Sequence, residues 1–153
     1  MRNIIFATNE FYHVFNRGNN KRPIFLDRFD LQRFLRGMSE FNSAKPIGSI
    51  YENSFREKEK KLVSEQDKLV DFVCYCLNPN HYHFVLKQLT DNGISQFMHK
   101  VSTGFTNYFN LKYKLSGSLF QGRFRALHVN SNEYLLHLSA YVNLNDKVHQ
   151  LGS

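Results

Sequence analysis

The sequence contains no tryptophan, only two cysteines and only three prolines among its 153 residues. The cysteines, Cys74 and Cys76, lie two positions apart on one predicted strand, too close for a comfortable disulfide within that strand. A fold held together by disulfides is therefore excluded, and both cysteines are expected to be reduced thiols in the core.

Long hydrophobic runs are also missing. No stretch approaches the roughly 18 consecutive apolar residues that a membrane-spanning helix requires. The first residues, MRNIIFATNEFYHVF, lack the apolar segment and small-residue cleavage site of a signal peptide. We therefore expect a cytoplasmic protein with no membrane partner.

Aromatic residues and positive charge are abundant instead. The chain has 15 phenylalanines and 8 tyrosines, and its 20 Lys and Arg outnumber its 13 Asp and Glu, for a net charge of +7. This balance favours a polyanionic partner such as nucleic acid, although many unrelated proteins are equally basic.

The length predicts a single domain over residues 1–153. The abrupt ending, KVHQLGS, suggests that a further C-terminal segment follows.

Hydrophobic periodicity and turn residues predict the order β, α, β, β, β, α, β, α. The first strand is expected over Phe11–Asn16 and the first helix over Asp27–Asn42, with Asp27 as its cap. A capping box of Asn130 and Glu133 is expected to begin the last helix. The other predicted elements are a short strand in PIGSIYENSF, a hairpin in LVDFVCYCLNPNHYHFVLKQL, a helix in GISQFMHKVSTGFTNYFNLKYK and a strand in LFQGRFRALHV. This order predicts an α+β fold of ferredoxin-like class, an antiparallel sheet with helices on one face.

Two histidines share one face of the predicted strand HYHFVLK. Because side chains alternate along a strand, His81 and His83 point away from the face that carries Tyr82, Phe84 and Leu86, which has the pattern of a core. Two neighbouring imidazoles, mostly neutral at physiological pH, could converge on one metal ion.

Two other interpretations of the histidine pair remain open from the residues alone. The pair could simply be tolerated on a half-exposed strand. Alternatively, Cys74, Cys76, His81 and His83 could bind a structural zinc ion, although their spacing differs from the usual zinc knuckle.

Four segments, in the same order, resemble a known family. NPNHYHFVLK is similar to the His-hydrophobe-His motif of single-tyrosine HUH transposases. YHVFNRGNNKRPIF, SGSLFQGRFR and YVNLND resemble the REP-associated tyrosine transposase branch of that family. The resemblance covers most of the chain and implies an HUH endonuclease-type fold whose C-terminal helix carries a nucleophilic tyrosine.

The resemblance implies a metal-dependent endonuclease and strand transferase. Such enzymes cut single-stranded DNA by attack of a tyrosine on a phosphodiester, which leaves a 5′-phosphotyrosine and a free 3′-OH. The residues alone leave Tyr108, Tyr134 and Tyr141 about equal as the nucleophile, whereas the family motif falls on Tyr141. The resemblance also implies that Asn145 joins His81 and His83 in holding Mg²⁺ or Mn²⁺. It further implies recognition of a DNA hairpin by a monomer or homodimer.

Basic and aromatic residues outside the histidine pair are predicted to contact DNA. In FQGRFR, rings and guanidinium groups alternate, a pattern that suits stacking on unpaired bases and contact with the backbone. Some of these residues could instead provide solubility or fill the core, and a non-catalytic nucleic-acid-binding domain remains the alternative function. The positions predicted to bind DNA are Arg17, Lys21, Arg22, Lys100, Lys112, Lys114, Phe120, Arg123 and Arg125.

Overall fold

The computed structural model describes residues 4–56 and 63–144. The strands are Phe11–Arg17 (β1), Val70–Asn78 (β2), His81–Gln88 (β3) and Arg125–Val129 (β4). The helices are Arg28–Glu40 (α1), Ile50–Asn53 (α2), Gly93–Tyr113 (α3) and Asn132–Leu144 (α4). In this part of the chain, every helix is too short or too polar to span a bilayer.

The four strands form one antiparallel sheet in the order β2-β3-β1-β4. The hairpin of β2 and β3 turns at Pro79 and Asn80, as the Asn-Pro-Asn sequence predicts. Pairing places Cys76, His83, Phe15 and Arg125 in one row across the sheet, so that residues far apart in sequence share a face. The predicted α+β sheet is confirmed.

One face of the sheet carries the main core. Tyr82, Phe84 and Leu86 of β3 are at most 1% exposed and pack with residues of α1 and α3. The ring of Phe84 stacks on Tyr82 with centroids 4.6 Å apart. This core face, as we call it below, is the apolar side that alternation along HYHFVLK predicts.

The opposite face, which carries His81 and His83, is covered in part by α4. A smaller cluster of Cys76, Val85 and Leu138 is buried there, with Tyr134 packed against it. We call this side the histidine face. Helices α1 and α3 therefore lie on one face, as expected, while the C-terminal helix packs on the other.

Three details differ from the predictions. PIGSIYENSF forms no strand: Ser49 and Glu52 exchange side-chain to backbone hydrogen bonds in a capping box, which begins α2. LFQGRFRALHV pairs as a strand only from Arg125, because the chain bends at Gly122, whose φ is 66°. At the start of α4 the Ser131 hydroxyl accepts from the backbone N–H of Tyr134 at 3.1 Å, in place of the expected Asn130 and Glu133 box.

Candidate active site

His81 and His83 stand side by side at the start of β3. Their ring centroids are 5.2 Å apart, and the ring planes are perpendicular. Both line a cavity of about 450 Å³ that opens on the histidine face. The sheet therefore places the two imidazoles where a ligand can reach them.

Asn80 fixes the orientation of His81. The two side chains lie 2.7 Å apart, Nδ1 of His81 to Oδ1 of Asn80. A carbonyl oxygen only accepts, so the imidazole donates from Nδ1, and its lone pair is on Nε2. The amide nitrogen of Asn80 donates to the carbonyl of Lys21 at 3.3 Å, which ties the basic loop after β1 to the same corner. Metal-binding histidines commonly donate their second ring nitrogen in this way.

His83 lies against a third histidine. His13, on the central strand β1, is 7% exposed, and its Nε2 lies 3.0 Å from Nδ1 of His83. Burial, followed by the neighbouring His13 and His81, lowers the pKa of His83 to about 4. Burial also lowers the pKa of His13. The imidazole of His83 is therefore neutral near pH 7, the form that binds a metal ion.

Tyr141, on α4, lies close to His83. Its ring meets His83 edge-on, with centroids 6.4 Å apart, and its side chain is 54% exposed. Leu138, one turn earlier on α4, is buried in the histidine-face cluster and fixes which side of the helix faces the sheet. The two other tyrosines considered above have other roles. Tyr108 donates to Asp30 at 3.0 Å, and Tyr134 packs in the cluster.

The remaining predicted metal ligand, Asn145, lies outside the described residues. Within residues 4–56 and 63–144, no group of three or more His, Cys, Asp or Glu side chains is arranged to hold a metal ion. Cys74, Cys76, His81 and His83 all belong to this range, so the structure does not form the four-ligand zinc site considered above.

Three of the predicted DNA-binding residues gather around the cavity. Arg17, Lys21 and Arg125 all contribute to its lining, and each is exposed. Gln121 also lines it, and its amide oxygen accepts from Nε of Arg17. We call this cavity, lined by His81 and His83, the histidine pocket. Its rim is thus positively charged and suited to an anionic ligand.

Two of the predicted lysines are held elsewhere by the fold. Nζ of Lys112 donates to Asp27 at 2.7 Å and to Asp30 at 2.8 Å. Lys100 donates to the carbonyl of Ser43 at 2.6 Å. Both lie on α3, which packs on the core face, so the structure does not bring them to the histidine pocket.

The other predicted contacts are also separate from the pocket. Phe120 is 4% exposed and packs edge-on against Tyr82, so its ring offers no face to a base in this conformation. The guanidinium of Arg22 lies over the ring of Phe109. Lys114 is exposed at the C-terminal end of α3, and Arg123 is exposed in a second groove, beside α3.

Sequence reasoning missed His13, Asn80 and Gln121 as residues of the site. Alternation within YHVFNR would have placed His13 on the same side of β1 as Arg17. Its contact with His83, however, depends on the register of β1 against β3, which a single sequence does not reveal. The sequence indicates Asn80 only as part of the Asn-Pro-Asn turn of the hairpin.

Comparisons with known proteins identify the family of the chain and support its fold. A family model described as IS200-like transposases matches residues 7–145. No curated protein sequence matches the chain significantly. Among solved structures, a REP-associated tyrosine transposase bound to a REP hairpin is similar with a TM-score of 0.67 and 14% identity, covering 99% of this chain and 74% of that one. A protein from Deinococcus radiodurans R1 assigned as a transposase gives a TM-score of 0.51 and 10% identity, covering 95% of this chain and 98% of that one. At these identities the likeness establishes the fold.

Proposed function

Because the chain belongs to the family of IS200-like transposases, we propose that it is a metal-dependent enzyme that cuts and rejoins single-stranded DNA through Tyr141. The observation that carries this proposal is the position of Tyr141 beside His83, with ring centroids 6.4 Å apart. Of the three tyrosines considered as nucleophile, Tyr141 is the one whose ring contacts His83.

The metal would be held by His81 and His83, and by Asn145, which lies outside the described residues. The structure supports this assignment through the donor set: Asn80 leaves the lone pair of His81 on Nε2, and His83 is neutral near pH 7. Imidazole and amide ligands together with substrate oxygens suit Mg²⁺ or Mn²⁺. When bound, the cation supplies positive charge that neutralises and orients the scissile phosphate.

In the proposed reaction the phenolic oxygen of Tyr141 attacks the phosphorus of a phosphodiester. A bond forms between that oxygen and phosphorus, the bond from phosphorus to the 3′ oxygen breaks, and the 3′ oxygen leaves as a hydroxyl after gaining a proton. The phenol loses its proton in the same step. Rejoining reverses these changes, since a 3′-OH attacks the 5′-phosphotyrosine and restores the free tyrosine.

DNA would enter along the charged rim. Arg17, Lys21 and Arg125 line the same cavity as the two histidines and would contact phosphates of the bound strand. Single-stranded DNA with a hairpin is the proposed substrate, by analogy with the hairpin bound to the REP-associated relative.

The test is the intact mass of the protein after incubation with hairpin-bearing single-stranded oligonucleotides from the DNA that flanks its gene, with Mg²⁺ or Mn²⁺. We expect one DNA fragment to be covalently attached to the wild type. Tyr141→Phe should form no adduct, because it lacks the attacking oxygen. Tyr134→Phe is the matched control on the same helix and should form the adduct at the wild-type level.

Each alternative predicts a different result. An adduct that persists in Tyr141→Phe would assign the nucleophile to another tyrosine. Tight binding without adduct or cleavage under any divalent metal would favour the non-catalytic binding domain. An adduct that forms equally in EDTA would contradict the metal requirement.

A further inference from the structure

We infer that His13 is a positioning residue for the metal site, in that its Nε2, 3.0 Å from Nδ1 of His83, accepts a hydrogen bond from that nitrogen and thereby keeps the lone pair of His83 on Nε2. This inference rests on the proposed metal-binding role of His83. The function proposed above uses His81, His83 and Tyr141 and assigns nothing to His13.

The contact between the two histidines permits only two arrangements of protons when both rings are neutral. In one, Nδ1 of His83 donates to Nε2 of His13 across 3.0 Å, and Nε2 of His83 is available as a ligand. In the other, His13 donates, and Nε2 of His83 carries a proton and binds no metal. His13 therefore controls whether His83 is competent to bind a cation.

The surroundings of His13 hold it in place for this role. It lies on the central strand, where its backbone is opposite Val85 on one side and Leu127 on the other. The residue is 7% exposed, and its ring is nearly coplanar with that of His83, with centroids 5.2 Å apart and planes 24° apart, as a hydrogen bond between the two ring edges requires. Because the residue is buried and its ring is hydrogen-bonded at one edge, the ring has little freedom to turn, so it can define the orientation of its partner.

A direct ligand role for His13 is not what the geometry supports. His13, His81 and His83 are all among the described residues, and there no group of three such side chains is arranged to hold a metal ion. The Nε2 atom of His13 instead points at Nδ1 of His83, the nitrogen that would face away from a metal bound through Nε2. The relation of His13 to His83 matches that of Asn80 to His81, where an acceptor also lies at Nδ1.

The experiment combines two measurements on the full chain. Long-range ¹H–¹⁵N NMR of the histidine rings assigns the proton of His83 to Nδ1 or Nε2. Titration with Mn²⁺ alone, followed by electron paramagnetic resonance, gives the dissociation constant for the wild type, His13→Phe, His13→Gln and His81→Ala. His128→Phe is the control, since His128 is exposed and contacts Glu10 rather than the pocket. Thermal unfolding confirms that each variant is folded.

We expect the proton of His83 on Nδ1 in the wild type. His13→Phe should weaken Mn²⁺ binding about tenfold or more, the usual effect of removing such a partner. His13→Gln should recover most of the affinity, because its amide oxygen also accepts, and His128→Phe should leave it unchanged.

Three results would overturn the inference. Equal Mn²⁺ affinity in the wild type and His13→Phe would remove the role of His13 while leaving the metal site intact, as His81→Ala would show by its own loss. Equal losses in His13→Phe and His13→Gln would mean that the hydrogen bond is not the cause. No Mn²⁺ binding by the wild type would refute the metal role itself, and with it this inference.

Discussion

The two faces of the central sheet are built from the same strands but differ in how far they are buried. On β3 the core face carries Phe84, which is completely buried among other rings, while the histidine face carries His83, which remains accessible from a cavity of about 450 Å³. The core face gains stability from apolar burial. The histidine face keeps polar side chains beneath a helix, and each must find a hydrogen-bond partner to avoid a desolvation cost. One face thus maintains the fold, and the other is available for chemistry.

Phe84→Ala, on the core face, is expected to have the largest effect on stability. The side chain is 0% exposed, and its ring contacts Tyr82, Phe72 and Phe34. Truncation should lower the free energy of unfolding by about 3–5 kcal/mol, the usual cost of an emptied phenylalanine site. Urea denaturation followed by circular dichroism measures it. A loss of less than about 1 kcal/mol would mean that this core is looser than its contacts indicate.

His81→Ala should show the opposite pattern on the other face. His81 is partly exposed at the start of β3, so the free energy of unfolding should change by less than about 1 kcal/mol. The rate of adduct formation on hairpin DNA should fall by about 10³-fold, equivalent to ~4 kcal/mol of lost charge neutralisation in the transition state. Single-turnover kinetics at saturating DNA provides the measurement. A variant that cuts at the wild-type rate would remove His81 from the site.

The core face was largely predictable from sequence, because hydrophobic periodicity is a local property. Alternation in HYHFVLK separates Phe84 from His83 without any knowledge of the partner strands. Spacings of three and four likewise identified α1 and α3 to within two residues at each end. The short strand expected in PIGSIYENSF was wrong because the capping box at Ser49 outweighed a weak apolar pattern.

The histidine face was predictable only in part. The residues reveal His81 and His83 as a pair, and the family resemblance adds Tyr141. Whether His13 and Arg125 lie close to the histidine pair depends on which strands are neighbours and in what register they pair. That information lies in long-range pairing. For the same reason the sequence predicts Lys112 as a DNA contact, since nothing local in the sequence predicts its ion pair with Asp30.

The pairing of Lys112 with Asp30 belongs to a polar network that joins α1 and α3, the two helices on the core face. Asp30 of α1 is 0% exposed. Its carboxylate accepts from Lys112, Tyr113, Tyr108 and the backbone N–H of Leu26. Burial acts to raise the pKa of Asp30, but these hydrogen bonds outweigh it and lower the pKa below its ordinary value. Burial, followed by the hydrogen bond to Asp30, raises the pKa of Tyr113 to about 12.

Asp30→Asn tests this network and should have an intermediate effect on stability. We expect a loss of about 2 kcal/mol at pH 7, since hydrogen bonds to the charged group disappear. Because the pKa is lower in the folded state, the stabilisation is present above the unfolded value and is lost as the pH falls through the folded value. The difference between wild type and variant should therefore shrink below about pH 4.

Denaturant titrations at pH 7 and at lower pH measure this difference. Asp91→Asn, at an exposed carboxylate that accepts from Thr8, is the control and should change stability by less than about 0.5 kcal/mol. A loss from Asp30→Asn that stays constant with pH would show that the ionised carboxylate is not its source.

The smallest expected effect is that of Arg125→Ala, which tests whether the histidine face is the DNA surface. Arg125 lines the histidine pocket and is in the same row of the sheet as His83. If it neutralises one phosphate, its removal should reduce the slope of log affinity against log salt by about 0.7 for single-stranded DNA. Arg36→Ala removes the same charge from α1, where Arg36 pairs with Glu40, and should leave the slope unchanged. Fluorescence anisotropy with a labelled hairpin oligonucleotide distinguishes the two. Equal changes in both variants would mean that net charge, rather than the charged rim of the pocket, governs DNA binding.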